Sequence, residues 1–188
     1  MTAESVSVNA KQLVVPRPES GEYALYYDRY ISLIAANDIL ATLEKQSLET
    51  TALLSVRKEV EGDLRYAPRK WSVKEVLGHV IDAERVFAYR ALRIARSDQT
   101  PIEGFEQDDY VKYGPFGQCR LAALVEEFAS VRKATLLLFR NLDEAAWLRR
   151  GVANKSEVSV RAIAYIIAGH ELHHRRILQE KYFAQARS

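Results

Sequence analysis

One cysteine, Cys119, stands in 188 residues. A single thiol excludes an intrachain disulfide framework and fits a reducing compartment. Long apolar runs are also missing: the longest, "AIAYIIAG", is far short of the roughly 20 residues a membrane-spanning helix needs. Neither sign of charge dominates, since 27 Lys+Arg against 25 Asp+Glu leave a formal +2, and that balance advertises no nucleic-acid or membrane partner. The opening "MTAESVSVNAKQLVV" lacks the basic-then-apolar order of a signal peptide. Together these absences lead us to expect a cytoplasmic globular protein.

Glycine and proline are scarce as well, at 8 and 5, and they cluster, leaving long stretches for uninterrupted helices. Pro16 and Pro18 close an N-terminal arm, residues 1–20, ahead of a single domain, 21–188. "EYALYYDRYISLI" reads as a short amphipathic helix, and Asn37-Asp38 offers a cap for a longer one reaching about Glu59. Ser72 and Glu75 form a capping-box pattern, and apolar positions at helical spacing follow through Val76, Leu77, Val80, Phe87, Ala91 and Ile94. "SDQTPIEGFEQDDYVKYGPFGQ" breaks this rhythm and is expected to be a long loop. A third long helix runs from Leu121 to about Phe139, a helical turn begins at Asp143, and Gly151 to Ser156 reads as loop. "EVSV" reads as the entry to the last helix, which extends to about Phe183. Four long amphipathic helices predict an all-α four-helix bundle.

Three of the four histidines fall in "GHELHH", and the fourth is His79. The apolar stripe of the last helix, Ile163, Ile166, Ile167, Ile177 and Leu178, continues across the gap onto His170 and His174. Two imidazoles one turn apart on a buried face need partners, and a shared cation supplies one for both. Zinc, nickel and ferrous iron all accept imidazole. A core pair that only fills space is the competing reading. "HELHH" also satisfies H-E-x-x-H, with Glu171 as general base, but the third ligand a zinc protease needs is missing downstream, where Glu180 lies too close on the same helix. A di-iron reading of Glu171-x-x-His174 fails because no second Glu-x-x-His exists. His79, on the shoulder of its stripe, is either the third ligand or an incidental surface residue.

Trp71-Ser72 opening a helix, His79, and a His170-x-x-x-His174 helix resemble the DinB/YfiT-like family. The strings "YAPRKWSVKEVLGHVIDAERVFAYRALRIARSD", "TPIEGFEQDDYV" and "SVRAIAYIIAGHELHH" extend the resemblance from about Gly21 to Tyr182. It implies an up-down-down-up bundle with one divalent metal held by His79, His170 and His174, leaving positions open to water or substrate. Members of that superfamily include enzymes that use low-molecular-weight thiols such as bacillithiol or mycothiol, and others are assigned metal-dependent hydrolysis. Many relatives follow the histidine pair with Arg-Gly-Gln where this chain has Arg175-Arg176-Ile177. The resemblance also implies a homodimer, with Tyr26, Tyr27 and Tyr30 as candidate interface residues.

We therefore expect a metal-dependent enzyme of the small-thiol S-transferase type acting on a small-molecule substrate. A hydrolase with the same ligands and Glu171 as a candidate catalytic base is the second reading, and a non-catalytic bundle is the third. Asp82 is a candidate partner for a ligand imidazole. Arg85, Arg90, Arg93 and Arg96 are candidates for binding a carboxylate. Phe105, Tyr110, Tyr113 and Phe116 are candidates for a pocket wall. Trp71 and Trp147 read as core, His173 as a bystander, and Cys119 has no assigned role.

Overall fold

The computed structural model describes residues 15–184, so most of the 1–20 arm lies outside the described residues. The elements in order are α1 (Asp28–Ile31), α2 (Ile39–Ser55), α3 (Val73–Ala95), α4 (Gln107–Tyr113), α5 (Leu121–Arg140), α6 (Glu144–Leu148), β1 (Arg150–Ala153), β2 (Ser156–Ser159) and α7 (Val160–Ile177). A π-helical turn, Leu178–Phe183, prolongs α7. No helix among the described residues is long and apolar enough to cross a membrane.

The starts of α2, α3, α6 and α7 are fixed by capping side chains. Asp38 accepts from Ala41 N, Asp143 from Ala146 N and Ser159 from Ala162 N. The Ser72–Glu75 capping box forms, and Arg65 grips the Glu75 carboxylate with both Nη atoms.

The four long helices α2, α3, α5 and α7 make the bundle: α2 and α3 each pack on α5 and on α7. Their directions follow from the contacts. Gln46 reaches Ala168 and Thr50 reaches Glu171, so α2 and α7 ascend together. Glu59 holds both Lys74, at the start of α3, and Leu121, at the start of α5, so these two run parallel. His79, early in α3, meets His170, late in α7, which makes that pair antiparallel. The order is up-down-down-up.

Two apolar clusters fill the bundle. One gathers Ile39, Leu43, Phe87, Ile94, Phe139, Ile163 and Ile166, and the other Leu54, Val73, Leu77, Leu121, Phe128, Leu178 and Tyr182. Between them along the helices runs a layer of buried polar side chains: Gln46, Thr50, His79, Glu84, Arg132, Thr135, His170 and Glu171.

Several local expectations change. The loop of residues 97–118 contains α4 and a 3-10 turn, Phe116–Gln118. Its Ile102 also bridges to Ala153, with Ile102 N donating to Val152 O. Residues 150–159 are a β-hairpin, not loop and helix entry, because Asn154 and Lys155 both take positive φ (50° and 63°) and turn the chain between four-residue strands. α2 ends at Ser55 and gives way to a 3-10 segment, Glu59–Asp63. The short first helix is two 3-10 turns followed by the single turn α1.

Candidate metal centre

α3 and α7 bring three imidazoles together at the middle of the bundle. One ligand nitrogen from each of His79, His170 and His174 lies within 4.8 Å of the others. His79 Nε2 and His170 Nε2 are 3.0 Å apart. His79 is buried, not on a surface shoulder, because α3 is covered by α5 on one side and α7 on the other. His174 is half-buried, and His173 sits beside it with its ring 5.5 Å from that of Tyr30.

Burial pushes the His79 imidazole down to about 4. Burial, reinforced by the neighbouring imidazoles, holds His170 and His174 well below the usual histidine range. All three are therefore neutral near pH 7 and present lone pairs. Among the described residues none of them is ion-paired to an acid. Nitrogens bound to one zinc-sized cation at about 2.0–2.1 Å stand about 3–3.4 Å from one another, and the His79–His170 pair already has that spacing. Three neutral imidazoles with no anion among them suit a divalent cation.

Aromatic side chains orient the cluster. Trp71 packs its ring 4.9 Å from that of His79, and Tyr182 OH donates to Trp71 O at 2.5 Å. The π-helical turn after α7 carries Tyr182, and such turns recur at functional sites. On the other side Tyr30 lies edge-on to His170 at 5.3 Å. Gly169 permits this approach, because a Cβ there would collide with the Tyr30 carbonyl.

Two clefts reach the histidines. One, of about 340 Å³, is lined by Tyr26, Tyr27, Tyr30, Phe87, Arg90 and Phe105 and touches His79 and His170. The other, of about 470 Å³, is lined by Tyr66, Arg69, Lys70, Trp71 and Tyr182 and touches His174. Gln107 and Asp108, at the start of α4, line both.

The remaining candidates divide cleanly. Of the four arginines only Arg90 lines the histidine clefts, whereas Arg85 pairs with Glu127 and Arg93 with Asp98. Asp82 is bonded to Arg85 at 3.5 Å and not to an imidazole. Phe105 walls the first cleft, Phe116 packs on Gly78, and Tyr110 and Tyr113 are exposed. Tyr27 and Tyr30 turn into the first cleft. Trp147 is core, whereas Trp71 is only partly buried beside His79.

Glu171 is turned toward α2: Thr50 Oγ1 donates to its Oε1, Arg175 Nε stands 3.5 Å away, and it lines neither cleft. Burial raises its carboxyl, against the pull of Arg132 and Arg175. Cys119 only donates to Pro115 O at 3.4 Å.

Trp71, Tyr27, Tyr30 and Gln107 are site residues that sequence reasoning did not place at the histidines. Arg90 had a readable signal, since it follows Ala83 and Phe87 on the α3 stripe, where a charge is out of place.

A family model described as the DinB superfamily matches residues 42–178, which contain all three histidines. The structure is similar to YfiT from Bacillus subtilis, a probable metal-dependent hydrolase with an unusual four-helix bundle topology. That likeness has a TM-score of 0.71 at 14% identity and covers 90% of this chain and 93% of that one. It is also similar to a mycothiol-dependent maleylpyruvate isomerase, with a TM-score of 0.63 at 13% identity, covering 77% of this chain and 61% of that one. At such identities the likenesses establish the fold. No curated protein sequence matches the chain.

Proposed function

The chain belongs to the DinB superfamily, and from that premise we propose that it is a metal-dependent enzyme that transfers a low-molecular-weight thiol to a small electrophilic substrate. His79, His170 and His174 would hold the cation. A divalent cation among neutral imidazoles supplies Lewis acidity, making a thiol or water that joins it acidic at neutral pH.

The observation that carries the transfer reading is the pair of clefts meeting at one histidine cluster. Hydrolysis needs room for one organic substrate, because water needs no cleft; a thiol and an electrophile need two. The second cleft, with Arg69, Lys70 and Trp71, suits a polar thiol. The first, walled by Tyr27, Tyr30, Phe87 and Phe105, suits the electrophile and shields it from water. In the reaction the S–H proton leaves to solvent at the open mouth, and the sulfur lone pair forms the S–C bond. The electron pair of the broken bond departs with the leaving group, so no oxidant or reductant is consumed. The likeness to YfiT keeps hydrolysis as the second reading, with the same three histidines.

The test is turnover by metal-loaded protein of chlorodinitrobenzene with glutathione, bacillithiol or mycothiol, beside nitrophenyl esters without thiol. Thiol-dependent thioether formation that disappears in His170→Ala is the expected result. Ester cleavage at the same rate with and without thiol would replace transfer by hydrolysis. Inertness toward both classes would leave a non-catalytic bundle.

A further inference from the structure

Among the described residues only two arginines, Arg132 and Arg90, are buried. Arg132 is neutralised: its Nε and Nη2 donate to the Glu84 carboxylate at 2.8 Å each, and Nη1 donates to Leu43 O at 3.0 Å. Arg90, 3% exposed, has no carboxylate within ion-pair distance among the described residues. Its Nη2 donates to Glu103 O at 3.0 Å, and its Nε, buried, has no hydrogen-bond partner. A buried guanidinium without a counter-anion is costly, and proteins normally pair it. Here the unpaired one lines the cleft that reaches His79 and His170.

Aromatic side chains flank Arg90, Tyr27 among them. The Arg90 guanidinium lies 5.6 Å from the Phe87 ring centroid and 5.9 Å from that of Phe105. The same Phe87 ring is 6.2 Å from the His170 ring, so one aromatic side chain adjoins both the charge and the histidines. The cleft's own acids, Glu106 and Asp108, are exposed and form no ion pair with Arg90.

From this geometry we propose that Arg90 is a specificity-determining residue that binds the carboxylate of an aromatic or similarly flat substrate lodged between Phe87, Phe105 and Tyr27. A guanidinium edge matches a carboxylate, and a single buried cation flanked by aromatic rings matches a single negative charge. This assignment names the electrophile's class within the function proposed above and rests on that reading for its catalytic meaning. The carboxylate sits on Arg90, and the reacting carbon is presented toward the histidines.

Binding of benzoate and of its neutral analogue benzamide, measured by calorimetry on chelator-treated and on metal-loaded protein, tests this independently of catalysis. In chelated wild type benzoate should bind at least tenfold tighter than benzamide. Arg90→Met should abolish that preference and leave metal uptake unchanged, and Arg90→Lys should keep a reduced preference. Equal binding of the two probes by chelated wild type would overturn the assignment, as would a benzoate preference undiminished in Arg90→Met. If Arg90→Met does not fold, Arg90→Lys decides: a severalfold smaller preference supports the proposal and an unchanged one overturns it. Absence of metal uptake would defeat the enzyme reading while leaving the benzoate comparison intact.

Discussion

Two polar clusters share the buried layer between the apolar halves of the bundle, and they are built on opposite rules. Around Arg132 the charge closes on itself: Glu84 takes two donors of the guanidinium and Leu43 O takes a third, while Thr50, Glu171, Arg175 and Glu49 form a separate chain of contacts toward the surface. Across α7 three imidazoles meet with no acid to balance them and open into two clefts. A closed network holds helices in register; an open set of like donors waits for a ligand. The two differ by one residue on one helix, His170 facing α3 and Glu171 facing α2.

The largest effect should come from breaking the closed cluster. Glu84→Gln leaves Arg132 charged and unpaired in the core, and urea unfolding should show a loss of about 3–5 kcal/mol. The double change Glu84→Leu with Arg132→Met should recover most of it. In metal-free protein, His79→Ala should cost far less than Glu84→Gln, because the partner it leaves behind, His170, is a neutral imidazole and not a charge.

Next in size is the response of the open cluster to its ligand. Zinc at 100 times its dissociation constant should stabilise wild type by about 2.7 kcal/mol, read as a rise in Tm, and should leave His170→Ala unmoved. Gly169→Ala should follow, since the methyl drives the Tyr30 carbonyl off α7; a cost of about 1–3 kcal/mol is expected, with weakened ligand binding in the first cleft.

The smallest effect lies outside both clusters. Burial alone would raise the Glu22 carboxyl, but Arg161, Ser159 and the Glu19 backbone hold it near 2 against an ordinary value of 4.5. A depressed carboxyl contributes stability above its unfolded pKa and loses it as pH falls toward the folded value. Wild type should therefore lose stability from about pH 4.5 toward 2 more steeply than Glu22→Gln, as thermal melts across that range would show.

The bundle was legible because α3, α5 and α7 carry long apolar stripes, α3 with a cap at Ser72, and because His170 and His174 continue a stripe. The hairpin was not, since its strands are four residues long and its turn relies on positive φ at Asn154 and Lys155. Nor were the aromatic walls. Tyr30 reaches His170 only because Gly169 lets α1 sit on α7, and Trp71 reaches His79 while Tyr182 on the π-helical turn holds its carbonyl. The Tyr30–His170 and Tyr182–Trp71 contacts join segments far apart in the chain, which local periodicity does not encode. Arg90 and Arg132 occupy similar stripe positions on different helices, and only tertiary contacts reveal that Arg132 has a carboxylate while Arg90, among the described residues, has none.

The most direct test of the open cluster is metal content by elemental mass spectrometry on wild type, His79→Ala and His173→Ala, each after incubation with zinc, nickel or ferrous iron. Near-stoichiometric metal in wild type and His173→Ala, with none in His79→Ala, is the predicted result. Wild type that takes up no metal, or His79→Ala that takes up as much, would contradict the account.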